Sequence, residues 1–207
     1  MKIKDHIWFP VFYMFILTLI LSTILIVFGI FTRKRVEDNT RIAFERSVLE
    51  ALPIDLPHKI STSQIHQLYT QLIEDPDSSS GIALRYIEAD SLIAYALPIE
   101  GPGFWATIKG IIGIAVDQKT VTGISFYEQN ETPGLGGEIV NEAFRKQFIG
   151  KELSSTPMPL EIRMTAVPID ESSVHAVTGA TQTSMRLSMF LNEALITWEQ
   201  AVKQKGD

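Results

Sequence analysis

Between Ile7 and Phe31 the chain reads IWFPVFYMFILTLILSTILIVFGIF, without one charged residue. Wound as an α-helix at about 1.5 Å per residue, that run is roughly 37 Å long, more than the ~30 Å hydrocarbon core of a bilayer. Pro10 falls near its start, where a helix tolerates proline, and Trp8 and Tyr13 suit the interfacial end. A cleaved signal peptide needs a shorter apolar run and a small-residue cleavage site, and GIFTRKRVED offers neither. The chain is therefore expected to keep a single N-terminal transmembrane helix, with residues 1–35 as its anchor. Lys2 and Lys4 precede the run and Arg33, Lys34 and Arg35 follow it. Taken alone, this one-charge excess points mildly to a cytoplasmic C-terminal domain.

The 207 residues suffice for one domain of ordinary size besides the anchor. A net charge of −6 and the lack of a basic stripe argue against nucleic acid as a partner. Cysteine is absent, which excludes disulfides, thiolate-bound metals and thiol catalysis. His6, His58, His66 and His175 form no pair at metal-ligand spacing, so no metal site is expected.

Beyond the anchor, Val36 to Leu52 puts Val36, Ile42, Ala43, Val48, Leu49 and Leu52 on one helical stripe, read as a continuation of the membrane helix. Pro53 and Pro57 stop it. Thr62 or Ser63 is expected to cap a second helix over Gln64 to Glu74, followed by the loop EDPDSSSG. Residues 36–80 read as a helical linker region. From Ile82 the period shortens. IALRYIEA, SLIAYALPI, ATIKGIIGIAV and VTGISFYE are β-rich runs separated by turn residues, read as successive antiparallel strands. Gly110 and Gly113 mark a bulge or a close approach. A short helix over Asn141 to Gln147 and a strand over PLEIRMTAV follow. Leu187, Phe190, Leu191, Ala194, Leu195 and Trp198 then define a closing, core-packing helix. The fold class is α+β, an antiparallel sheet with flanking helices over residues 81–207.

Two stretches stand out. In ETPGLGGEI, Thr132-Pro133-Gly134-Leu135 fits a type II turn: proline sets the second position and glycine supplies the positive φ of the third. Gly136 and Gly137 either let the backbone run close to a neighbour or simply fray, and Glu138 suits a helix start. In HAVTGATQTS, Thr178, Thr181, Thr183 and Ser184 surround Gly179 and Ala180 at the entrance of the last helix. One hydroxyl caps a helix. The surplus makes the turn a candidate anion seat, because a helix N-terminus offers free N–H groups and the positive end of the dipole. GPGFWA echoes a dinucleotide fingerprint, but a β-rich run follows where such a site needs a helix.

TGATQTS, ETPGLGGEI and GPGFWATIKGIIGI, in this arrangement behind a membrane helix, resemble the FMN-binding subunits of two related membrane complexes. These are the C subunit of the Na+-translocating NADH:quinone reductase (Nqr) and the G subunit of the Rnf ferredoxin:NAD oxidoreductase. The resemblance runs from about Ala94 to Trp198. It implies FMN joined by its phosphate to the last threonine of the (S/T)GAT motif, here Thr181, by a separate flavin transferase that uses FAD. It implies a domain outside the cytoplasm, which outweighs the one-charge argument, and partners among the other membrane subunits of an Nqr or Rnf complex. The family pattern has Asp where this chain has His175. Flavinylation here then either runs slower or draws on another recognition feature, and a plain loop role for His175 is an equal alternative.

On this reading the chain is an electron relay of an ion-translocating (Na+ or H+) oxidoreductase, with NADH bound elsewhere and no general base of its own. The expected FMN site comprises Thr178, Gly179, Ala180, Thr181 and Thr183, with Glu131, Thr132, Pro133, Gly134, Leu135 and Gly136 near the ring system. Trp105 is a candidate ring neighbour and equally a candidate core residue. Glu131 either meets the flavin or caps the next helix. A membrane-tethered module that holds FMN or another anion without turnover is the alternative.

Overall fold

The computed structural model describes residues 8–57, 59–77 and 80–204. Lys2, Lys4, His6, Ile7 and His58, named above, lie outside them. The chain divides into two compact units at Arg41 and Ile42.

The first unit is most of helix α1, Phe9–Ala51, which runs unbroken past the unit boundary. Its apolar window is long enough to cross a membrane, and none of it is buried against protein. Three of its threonines are satisfied within the helix. Thr18, Thr23 and Thr32 donate their hydroxyls to the carbonyls of Met14, Leu19 and Phe28 at 2.8, 2.7 and 2.9 Å. A hydroxyl bonded four residues back does not present an unpaired donor to hydrocarbon.

In the second unit five strands form an antiparallel meander: β1 Ile73–Glu74, β2 Leu84–Glu88, β3 Ser91–Pro102, β4 Thr107–Ala115 and β5 Val121–Glu128. Each strand pairs with its neighbour in sequence. Both faces of the sheet are covered, which is why β3 and β4 read as nearly continuous apolar runs. On one face Tyr95, Leu97, Ile99, Ile108, Ile112 and Ile124 meet Leu187, Leu191, Leu195 and Trp198 of α4, Thr181–Lys203. Trp198 stacks edge-on against Tyr95 at 5.5 Å and donates its indole N–H to Ser80 O at 2.9 Å. On the other face Ala94, Ala96 and Ile111 meet Val48, Ala51 and Leu52 from the end of α1, with Tyr69 and Leu72 of α2, Thr62–Leu72. Register shifts fall at Gly110 and Gly113, as their glycines suggested, and Gly113 stands against Ala51.

Three elements depart from expectation. Helix α2 is capped by Ser61, whose hydroxyl accepts from Gln64 N while the Gln64 side chain accepts from Ser61 N. This S-x-x-Q capping box starts the helix earlier than a cap at Thr62 or Ser63 would. Its far end stops at Leu72, because Ile73 and Glu74 pair with Tyr86 and Arg85 as an edge strand. The helix expected over Asn141 to Gln147 is α3, Glu142–Arg145, continued by a 3-10 turn over Lys146–Phe148. PLEIRMTAV yields only β6, Glu161–Arg163, which pairs in parallel with β7, Ser173–His175, apart from the main sheet. After Arg163 the chain turns back, with Val167 N donating to Met164 O.

Candidate functional site

Three segments converge at one end of the second unit. The first is the bend between β3 and β4, closed by Gly103 N donating to Ala106 O at 2.8 Å. It projects Phe104 and Trp105 into solvent with their rings edge-to-face, 5.0 Å apart. Trp105 is 69% exposed and so is not a core residue. Two hydrogen bonds hold it nonetheless. Its backbone N–H donates to Glu131 Oε1 at 3.0 Å and its indole N–H to Thr132 Oγ1 at 3.1 Å.

The second segment is the loop after β5. Leu135 N donates to Thr132 O at 3.1 Å and Gly134 has φ +74°, the hydrogen bond and the positive third-position φ expected of a type II turn. Gly137 N reaches the same carbonyl at 3.0 Å. Glu138 accepts from Gly134 N at 3.0 Å, so its carboxylate braces the turn. Glu131 caps no helix. It is 5% exposed and its second oxygen accepts from the Thr183 hydroxyl at 2.6 Å.

The third segment is the entrance to α4. Ala180 N donates to Val177 O across a turn whose Gly179 has φ +77°, a conformation that favours glycine. Ala180 is the N-cap and supplies no side-chain acceptor. The surplus hydroxyls divide into two kinds. Thr183 is bound to Glu131, and the Ser184 hydroxyl accepts from Val177 N at 3.2 Å. Thr178 and Thr181 are exposed and, among the described residues, have no partner. The backbone N–H groups of Thr181, Gln182 and Thr183 likewise find no acceptor among the described residues. This is a helix end whose first N–H groups are uncapped, with the Glu131 carboxylate held beside it by Thr183.

Between the segments lies a cavity of about 350 Å³, within the roughly 300–1,000 Å³ of small-molecule sites. It is lined by Trp105, Glu131, Thr132, Leu135, Gly136, Gly179, Ala180, Thr181 and Thr183, all expected from the sequence. Pro133, Gly134 and Thr178 shape the turns and stand outside the lining. Phe104 and Gln182 line it and were missed. Both lie inside the quoted motifs, beside residues that were chosen. Glu131 is the one ionisable side chain among these lining residues. Half-buried His175 sits on β7, exchanging hydrogen bonds between its backbone and the Gln147 side chain.

A flavin phosphate suits these residues. The exposed Thr181 hydroxyl and the uncapped N–H groups lie together, and Trp105, Phe104 and Leu135 give apolar walls. Comparison with known proteins agrees. Residues 103–196, which contain the whole lining, match the model of the FMN-binding domain. Over 110 residues the chain is 36% identical to the C subunit of the Na(+)-translocating NADH-quinone reductase of Vibrio vulnificus (strain YJ016), covering 52% of this chain and 43% of that protein. Over 123 residues it is 42% identical to the corresponding protein of Haemophilus ducreyi, covering 54% and 48%. The chain thus spans about half the length of the curated relatives it matches. The crystal structure of the C subunit of a Na(+)-translocating NADH-quinone reductase from Parabacteroides distasonis superposes with a TM-score of 0.67 at 21% identity, over 82% of this chain and 94% of that one. That likeness supports the α+β fold with its covered antiparallel sheet. The cavity and the uncapped turn thus fall within residues 103–196, the stretch that matches the model of the FMN-binding domain, and the chain is similar over about half its length to C subunits of Na(+)-translocating NADH-quinone reductases.

Proposed function

We propose that the protein is a membrane-anchored electron-transfer subunit of an ion-translocating oxidoreductase, with FMN joined to Thr181 by a phosphoester. The complex is of the Na+-translocating NADH:quinone type or the related Rnf type, and the subunit does not turn over alone. The observation that carries the reading is the Thr181 hydroxyl, exposed and, among the described residues, unpartnered at the edge of the 350 Å³ cavity on an uncapped helix end. Attachment from FAD balances as a group transfer. The Thr181 oxygen forms a bond to the riboflavin-side phosphorus, the pyrophosphate P–O bond breaks, AMP leaves, and the hydroxyl proton passes to solvent or to the transferase. The N–H groups of Gln182 and Thr183 would hold the phosphate, and Trp105 and Leu135 would flank the ring system. FMN supplies the electron-carrying chemistry; the protein supplies position and electrostatics. Residues 1–35 anchor the domain that follows on the extracytoplasmic side of the membrane. Its partners are the other membrane subunits and, during maturation, a flavin transferase.

The test is intact-protein mass after co-expression with a flavin transferase. The wild-type chain should gain FMN less one water and fluoresce in a denaturing gel, and Thr181→Ala should do neither. An adduct that survives Thr181→Ala refutes the attachment site. Flavin that washes out on denaturation favours a tethered, non-covalent FMN-binding module instead.

A further inference from the structure

We propose that Glu131 is a positioning residue of this site: its buried carboxylate latches the turn that carries Thr181 to the bend that carries Trp105. The inference rests on the function proposed above. One carboxylate oxygen accepts from Trp105 N at 3.0 Å and the other from Thr183 Oγ1 at 2.6 Å. The two donors come from two different segments of the lining, 26 residues before and 52 residues after Glu131 in sequence. Removing a carboxylate from water is costly and is tolerated where donors meet it. An apolar side chain would close the cavity floor without that cost. It would not hold two donors in fixed directions, which a carboxylate does.

The surroundings are cut to fit this carboxylate. A Cβ on Gly103 would come within 2.5 Å of Glu131 Oε1, and one on Gly136 within 2.7 Å of Oε2 while also overlapping Thr183 Oγ1. Thr183 stands two residues after Thr181 in the first turn of α4. Fixing the Thr183 side chain fixes the rotation of that turn, and with it the direction in which the Thr181 oxygen leaves the helix. Trp105 is pinned from the same side, through Glu131 and through Thr132. The phosphate seat and the aromatic wall thereby share one anchor, and their separation is set before any flavin arrives.

The test uses the full chain co-expressed with a flavin transferase. It follows the rate of adduct formation by mass and the visible circular dichroism of the loaded flavin. Thr183→Val and Glu131→Ala should slow loading roughly tenfold or more, the scale of one lost hydrogen bond to a charged group, and change the dichroism. Thr183→Ser should restore both. Glu131→Gln should fall between wild type and Glu131→Ala, because its amide can accept from Trp105 N and donate to Thr183 but carries no charge. A contact that only stabilised the fold would lower the melting temperature and leave the dichroism of the folded, loaded chain unchanged. Wild-type loading and dichroism in both Thr183→Val and Glu131→Ala overturn the latch. Should Glu131→Ala fail to accumulate, the comparison of Thr183→Val with Thr183→Ser decides alone, since it leaves the carboxylate in place. A wild-type chain without an adduct on Thr181 instead refutes the proposed function, and is read before any variant.

Discussion

Gly113 offers a test in which propensity and packing predict opposite signs. In a strand interior alanine outranks glycine by about 0.5–1 kcal/mol, so Gly113→Ala should stabilise if only the strand mattered. A Cβ at this position, however, would overlap both Ala51 O and Thr122 Oγ1. Those two atoms are joined by a hydrogen bond of 2.8 Å that ties the end of α1 to β5. The substitution must push the helix end off the sheet or break that bond. A lost neutral hydrogen bond costs about 1 kcal/mol and overpacking a dense core about 1–3 kcal/mol. After subtracting the propensity gain, about 1–3.5 kcal/mol of destabilisation remains. For a domain of this size that lowers the melting temperature by roughly 2–14 °C. Thermal unfolding in detergent, followed by the fluorescence of buried Trp198, reads it directly. Gly123→Ala is the control: its Cβ would sit 3.0 Å from Ala51 O, tight but not overlapping, and should cost less than half as much. A Gly113→Ala chain that melts at or above the wild-type temperature, or a Gly123→Ala chain that melts lower still, would refute the steric account.

Two further outcomes are expected. Asp170 accepts from the Ser173 hydroxyl, from Arg163 and from Ser172 N, and these hold its pKa at about 2 against an ordinary 3.8. Its folded pKa is the lower one, so its stabilisation is present above the ordinary value and fades as pH falls toward 2. Asp170→Asn should therefore lower the melting temperature at about pH 5 and converge with wild type near pH 2; a constant offset across that range would refute this. Because the chain has no cysteine, Ser155→Cys on an exposed loop gives a single labelling site. An impermeant maleimide should reach it in intact, outer-membrane-permeabilised cells, and labelling only after lysis would place the domain on the cytoplasmic side.

Much of this organisation is legible in the residues because periodicity reports burial. The charge-free run to Phe31, the β-rich runs after Ile82 and the stripe from Leu187 to Trp198 each specify one partner surface. The departures occur where partners are remote or elements short. Ile73 and Glu74 continue a helical pattern, and only the presence of Arg85 and Tyr86 alongside makes them a strand. Arg163 ends its strand because β7 offers just three residues to pair with. At the site, glycine and proline announced the two turns, since a positive φ leaves a mark in sequence. Nothing local distinguished an exposed Trp105 from a core tryptophan, or a buried Glu131 from a helix cap. Their environments are set by contacts with residues 26 to 52 positions away.

The meander carries a consequence for assembly. Every strand of the sheet bonds to the next in the chain, so hairpins can zip together early from short loops. The cavity has no such shortcut. Its floor exists only once Glu131 has met a hydroxyl fifty-two positions away, after α4 has lain down across β3. On the proposed attachment to Thr181, a transferase that required the finished turn would meet a quality check: chains that stalled with the sheet formed but the last helix undocked would stay colourless, and the yellow colour would count correctly folded molecules.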